Sequence, residues 1–249
     1  MTTHFKDHFS GHSLDYEKYR PHYPDELFFH LSHLTEQHNR AWDCATGTGQ
    51  AAIHLAKYYK KVIATDASDN QVRQAAELKN VIYATAPAES SCIEDHSIDL
   101  ITVAQALHWF DLDAFANEAN RVLTDHGVLA VWTYNLLSIS PEVDAQVNYL
   151  YSTLLGPYWP PERTLVESGY QDIHIPFQEL EVPKFEMSAH WKLGHLIGYL
   201  NTWSAVKAYE DDQQSNPIEL IFKDLVTAWG DNEQERTISW PLALRIWRK

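Results

Sequence analysis

The chain has 249 residues, 45% of them hydrophobic, which suits one α/β domain with a substantial core. Nineteen basic against 34 acidic residues give a formal net charge of −15, which repels phosphate backbones and anionic lipid surfaces and favours a small-molecule partner over nucleic acid or membrane. Two cysteines, no secretory pattern at the start and no apolar run of about 18 residues exclude a disulfide scaffold and a spanning helix and predict a cytoplasmic setting.

Residues 1–24 are polar and rich in His and Tyr, and Pro21 and Pro24 bar a helix near their end. Pro24-Asp25-Glu26 opens an amphipathic helix carrying Leu27, Phe28, Leu31 and Leu34. Strand and helix then alternate. Ala41–Ala45 reads as a buried strand, followed by a glycine turn and a helix over Ala51–Tyr59. Val62–Thr65 is a second strand ending at Asp66, after which Ser68 caps a helix to about Leu78. Val81–Ala84 and Ile98–Val103 are the third and fourth strands, and a helix over Leu112–Leu123 leads to a fifth, Val128–Thr133. This rhythm predicts a doubly wound, mostly parallel sheet. Beyond residue 135 we expect helices over 141–155 and up to Gly169, then a strand over 172–182. Helices over 188–212 and 217–229 follow, before a last strand, Thr237–Trp247.

The turn Asp43-Cys44-Ala45-Thr46-Gly47-Thr48-Gly49-Gln50 joins the first strand to its helix, where glycines let a backbone approach a ligand closely. Asp66 ends the next strand 23 residues past Asp43, where a carboxylate serves the ribose hydroxyls of an adenosine ligand. Gly47, Gly49 and Ala52 also spell G-x-G-x-x-A, so a dinucleotide is the rival. Asp43 inside the first strand, and the small residue Ala45 ahead of the glycines, favour a ligand without a pyrophosphate.

The turn resembles the first motif of class I S-adenosylmethionine (SAM)-dependent methyltransferases, which has Gly where this chain has Ala45. Asp66 matches the family's ribose acid. Ala88-Glu89 matches its adenine-loop pair, with Pro87 where an Asp often stands. Gln105-Ala106-Leu107-His108-Trp109-Phe110-Asp111, Tyr16–Pro24 and Gly198–Val206 are similar to the trans-aconitate methyltransferase-like branch. The resemblance implies a Rossmann-like seven-stranded sheet with its last strand antiparallel, in one domain. That domain would comprise an N-terminal cap over 1–40, a cofactor-binding core over 41–135 and a helical acceptor-pocket elaboration over 188–230.

It further implies a SAM site made by Tyr19, Arg20, Asp43, Ala45, Gly47, Gly49, Gln50, Asp66, Ala67, Ala88, Glu89, Gln105, Ala106 and Trp109. Arg20 would pair with the SAM carboxylate. Asp43 would orient the turn or the methionine end, and Gln105, Ala106 and Trp109 would lie beside ribose and adenine. His108, Tyr134, Tyr199 and Trp203, with Trp132, would face the acceptor, though core packing explains such aromatics equally well. Methyl transfer from an activated donor needs alignment more than a triad or metal. A base is needed only for a hydroxyl or amine, and His108 is its candidate; a carboxylate acceptor needs none. His4, His8 and His12 have helical spacing, but Gly11 lies among them, and no metal is expected. Two other readings stay open: a SAM-binding protein without catalysis, and an NAD-dependent oxidoreductase.

Overall fold

The computed structural model describes residues 19–249. Most of the Tyr16–Pro24 segment is therefore described, whereas His4, His8 and His12 lie outside the described residues. After helix α1 (Asp25–Leu34), five strands run parallel: β1 (Arg40–Cys44), β2 (Lys61–Asp66), β3 (Val81–Thr85), β4 (Ile98–Ala104) and β5 (Leu123–Tyr134). Helices α2 (Gln50–Leu55), α3 (Asp69–Gln74) and α4 (Leu112–Val122) make the crossovers. The later helices are α5 (Pro141–Asn148), α6 (Arg163–Glu167), α7 (Leu193–Asn201), α8 (Ser204–Gln213) and α9 (Ile218–Trp229). The last strands are β6 (Gln178–Leu180), β7 (Phe185–Trp191) and β8 (Arg236–Arg248).

The sheet order is β3-β2-β1-β4-β5-β8-β6, with β7 also on β8. Strand β8 runs antiparallel to β5, from Val128 opposite Arg248 to Tyr134 opposite Leu242. The sheet has eight strands where seven are expected. Strands β6 and β7 both pair antiparallel with β8, Leu180 opposite Ile246 and Phe185 opposite Leu242. The four residues 181–184 thus face three on β8, and Pro183 among them cannot donate a ladder hydrogen bond. The sixth strand is in effect broken in two. This corrects the expected strand over 172–182 and moves the start of the helical elaboration from 188 to Leu193.

Period-two alternation sorts the strands between two cores. Ala41, Val128, Ala130 and Trp132 face the layer formed by α1, α2, α5, α7 and α9. Trp42, Cys44, Leu129 and Val131 face α4, whose Phe115, Ala119 and Val122 are buried. The β4–β5 ladder shifts register between Ile98 and Leu100, with the extra residues in β5, and Ile98 and Ile101 lie in the core on the α4 side. Asp111 caps α4, accepting from the Ala114 amide. Ser68 makes no side-chain cap on α3, contrary to expectation, and α3 buries no residue. Among the described residues no helix is long and apolar enough to cross a membrane.

Candidate functional site

The carboxyl ends of β1, β2, β3 and β4 share one edge of the sheet, the edge where ligands bind in such folds. The turn after β1 reverses through three left-handed residues, Ala45 (φ 55°), Gly47 (φ 58°) and Gly49 (φ 89°). At Ala45 this conformation costs about 1–2 kcal/mol for an L-residue, consistent with the glycine usual there. Gly49 ends the turn against Tyr83. A Cβ placed on Gly49 would lie 2.4 Å from the Tyr83 hydroxyl.

Two carboxylates hold this turn. Asp43 is only 1% exposed. Its Oδ1 accepts from Thr102 Oγ1 on β4 at 2.7 Å, and its Oδ2 accepts from the Thr46 hydroxyl. Burial pushes its pKa up to about 6, against these hydroxyls, which favour the charged form. With both oxygens engaged inside the protein, Asp43 ties the turn to β4. Asp66, at the end of β2, accepts from the Gly47 amide at 2.9 Å through Oδ2 and from the Ser68 amide at 2.8 Å through Oδ1.

Next along the edge, Ala67 is exposed and Ala88 buried, and Glu89 Oε1 accepts from the Asp111 amide at 3.0 Å, fastening the loop to the start of α4. Gln105 is left-handed (φ 56°), and its side chain turns toward β5. There Nε2 donates to the Tyr134 carbonyl at 3.0 Å and Oε1 accepts from the Thr133 hydroxyl. Gln105 thus braces β4 against β5, a task not expected from sequence. Ala106 is buried, and Trp109 is 36% exposed at the end of a one-turn 3-10 helix.

The chain leading into α1 folds over this edge. Gln50 Nε2 donates to the Pro21 carbonyl at 3.0 Å. Arg20 Nη1 donates to Tyr134 Oη at 3.2 Å, and its guanidinium lies 5.3 Å from the Tyr199 ring centre. Tyr19 presses on α7 so closely that a Cβ on Gly198 would come within 2.4 Å of its ring. Burial and the neighbouring Tyr134 push the Tyr199 phenol up to about 12, while Arg20 pulls the other way. Trp203 crosses Tyr199 edge-on at 6.0 Å, so Tyr134, Tyr199 and Trp203 form one group under Arg20. Trp132, though fully buried, crosses Tyr23 edge-on at 5.4 Å.

His108 has other partners. Its Nδ1 and Tyr170 Oη are 2.8 Å apart, and its ring packs on Trp109 at 4.6 Å. Burial, then the Arg163 charge, push its pKa down to about 4, so the ring is neutral near pH 7. Tyr83 and Arg163 escape sequence reading. Tyr83 alternates like any strand residue, and Arg163 lies in a helix of five residues with no motif. A separate open cleft of about 550 Å³, lined in part by His190, Trp191, Lys192, His195 and Glu233, shares no glycine-turn residue.

The parallel sheet, the glycine turn and the acid at the end of β2 define a Rossmann-like nucleoside-cofactor fold of the methyltransferase type. Residues 42–131 match the methyltransferase domain family. A Dictyostelium discoideum protein named as a methyltransferase is 37% identical over 239 residues, 93% of this chain and 91% of its own length. A Schizosaccharomyces pombe protein named as an uncharacterized methyltransferase is 27% identical, covering 90% of each chain. A solved structure from Anaeromyxobacter dehalogenans, described as a type II methyltransferase, superposes with a TM-score of 0.87 at 43% identity, over 92% of this chain and 97% of that one. The chain belongs to the class I SAM-dependent methyltransferases, with SAM as its cofactor. A silent SAM-binding protein and an NAD-dependent oxidoreductase are not favoured.

Proposed function

We propose that this methyltransferase acts on a small molecule carrying an ionised carboxylate, in a branch like the trans-aconitate methyltransferases, and that residues 1–249 work as one domain. The observation that carries the cofactor half is the junction of Asp66 with the Gly47 amide. It sets the carboxylate at the end of β2 against a turn built of small residues. The fit to SAM has a second support: the Tyr83 hydroxyl is buried beside Gly49 with no partner among the described residues, a donor available to a ligand.

SAM, when bound, supplies an activated methyl group on a sulfonium centre. In this reading Asp66 takes the ribose hydroxyls, and Gly47 and Gly49 admit the cofactor close to the backbone. Asp43, Ala45 and Gln50 fix the turn. Ala67, Ala88, Glu89, Ala106 and Trp109 line the adenine side, with Gln105 bracing it. Tyr19 and Arg20 close over the amino-acid end, and Arg20 meets its carboxylate. Tyr134, Tyr199 and Trp203 wall the acceptor side and exclude water. Methyl transfer to a carboxylate oxygen would need no base, so these residues would align the acceptor and exclude water rather than move a proton.

His108 then has no proton to remove. The expected result for His108→Ala is a turnover loss under about a hundredfold, with no acid limb near pH 4, where burial places this imidazole, lost from the pH–rate profile. The test is S-adenosylhomocysteine release with a panel of small carboxylic acids, hydroxyl compounds and amines. Turnover only on hydroxyls or amines, with a roughly thousandfold loss in the variant, makes His108 the base instead.

The cap has its own test. Gly198→Ala improves helix propensity by about 0.5–1 kcal/mol, yet it leaves no room for Tyr19. The melting temperature should hold or rise while SAM affinity falls roughly tenfold by calorimetry. Unaltered affinity would remove Tyr19 from the site.

A further inference from the structure

Arg163 opens α6 on the acceptor side and is half-buried. Its surroundings are aromatic: the guanidinium lies 4.9 Å from the Trp159 ring centre and 5.4 Å from that of Tyr151. Those rings reach the acceptor wall, since Trp203 packs on Trp159 at 5.7 Å and on Tyr151 at 5.9 Å. Two of its five N–H donors are used. Nε donates to Tyr151 Oη at 2.9 Å, and Nη2 donates to Asn135 Oδ1 at 3.0 Å, just past the end of β5. Both acceptors are neutral. Among the described residues no carboxylate lies within 4.0 Å of this guanidinium. Glu167, one turn on, is reached only through Tyr151, whose hydroxyl donates to it.

In a protein of net charge −15, a half-buried arginine held by neutral groups on a rigid aromatic frame is unusual. Its charge is felt at His108, which it helps keep neutral. Among the described residues, Nη1 and the second Nη2 proton have no acceptor, leaving a planar fork that matches a carboxylate.

We propose that Arg163, held by Asn135 and Tyr151, is the specificity residue that engages a carboxylate of the methyl acceptor. This rests on the acceptor lying on this side of the sheet, as proposed above. One guanidinium offsets one negative charge, and neutral His108 adds none, so a carboxylate fits better than a phosphate dianion. Trp159 beside the fork suits an acid with a flat apolar body.

Benzoate, with benzamide as its neutral counterpart, is titrated by tryptophan fluorescence into the full chain, alone and saturated with S-adenosylhomocysteine. Benzoate should bind with a Kd below about 10 mM, and benzamide much more weakly. Asn135→Asp places a carboxylate against Nη2 without removing the arginine, and Arg163→Gln removes the charge. Each should weaken benzoate binding about tenfold or more while leaving S-adenosylhomocysteine affinity unchanged. Asn135→Asp keeps the test decisive if Arg163→Gln fails to fold. Equal binding of benzoate and benzamide, no benzoate binding to the wild type, or undiminished binding to Asn135→Asp each overturns the proposal. Failure of S-adenosylhomocysteine to bind the wild type would instead strike the cofactor-site reading, and the benzoate titration of the protein alone still reads Arg163.

Discussion

Asp66→Ala is expected to weaken SAM binding roughly ten- to a hundredfold in a protein that still unfolds cooperatively. Hydrogen bonds to a charged group are worth about 1.5–3 kcal/mol, and about 1.4 kcal/mol is a factor of ten. The side chain sits at the end of β2, where it also accepts from the amides of Gly47 and Ser68. Its loss therefore acts twice: the ribose hydroxyls lose an acceptor, and the glycine turn loses its link to the second strand. Asp66 is half-buried, so water can reach the freed amides, which is why the fold should survive. Calorimetry with SAM and with S-adenosylhomocysteine reads the effect. Unchanged affinity in a folded variant removes Asp66 from the site.

Gly49→Ala should damage both fold and binding. Its φ of 89° is strained for any L-residue, and the new Cβ meets the Tyr83 hydroxyl at 2.4 Å. Strain of about 1–2 kcal/mol should lower the melting temperature by roughly 2–8 °C in a chain of this size. Displacement of the turn should cost SAM affinity tenfold or more. The double variant with Tyr83→Phe separates the two causes. It removes the nearest atom and leaves ring carbons at 3.0 and 3.1 Å, so part of the lost melting temperature should return while the backbone strain remains and SAM affinity, without the Tyr83 hydroxyl, stays low. If Gly49→Ala binds SAM like the wild type, the turn does not approach the cofactor closely.

The sequence by itself determined the first half of the fold. Strands β1, β2, β4 and β5 are buried apolar runs, and the turn between β1 and α2 is written in glycines, because burial and left-handed backbone each demand particular residues locally. Asp43 stood out as a charge inside a buried strand, which needs a partner, and Asp66 by its place at the end of the next strand. Strand β7 was not. Met187 and Trp191 are four apart, a helical spacing, and only pairing with β8 makes Phe185–Trp191 extended. The break at 181–184 likewise depends on the register against β8. Tertiary structure alone gathered the groups distant in the chain. Gln105 was turned onto β5, and His108 was set against Tyr170, 62 residues away. Tyr83 was brought under Gly49, and Arg163 was placed on Trp159, Tyr151 and Asn135 with no counter-ion among the described residues. Local pattern encodes which face of an element is buried. It does not encode which side chains from separate elements meet, and charge compensation is settled by those meetings.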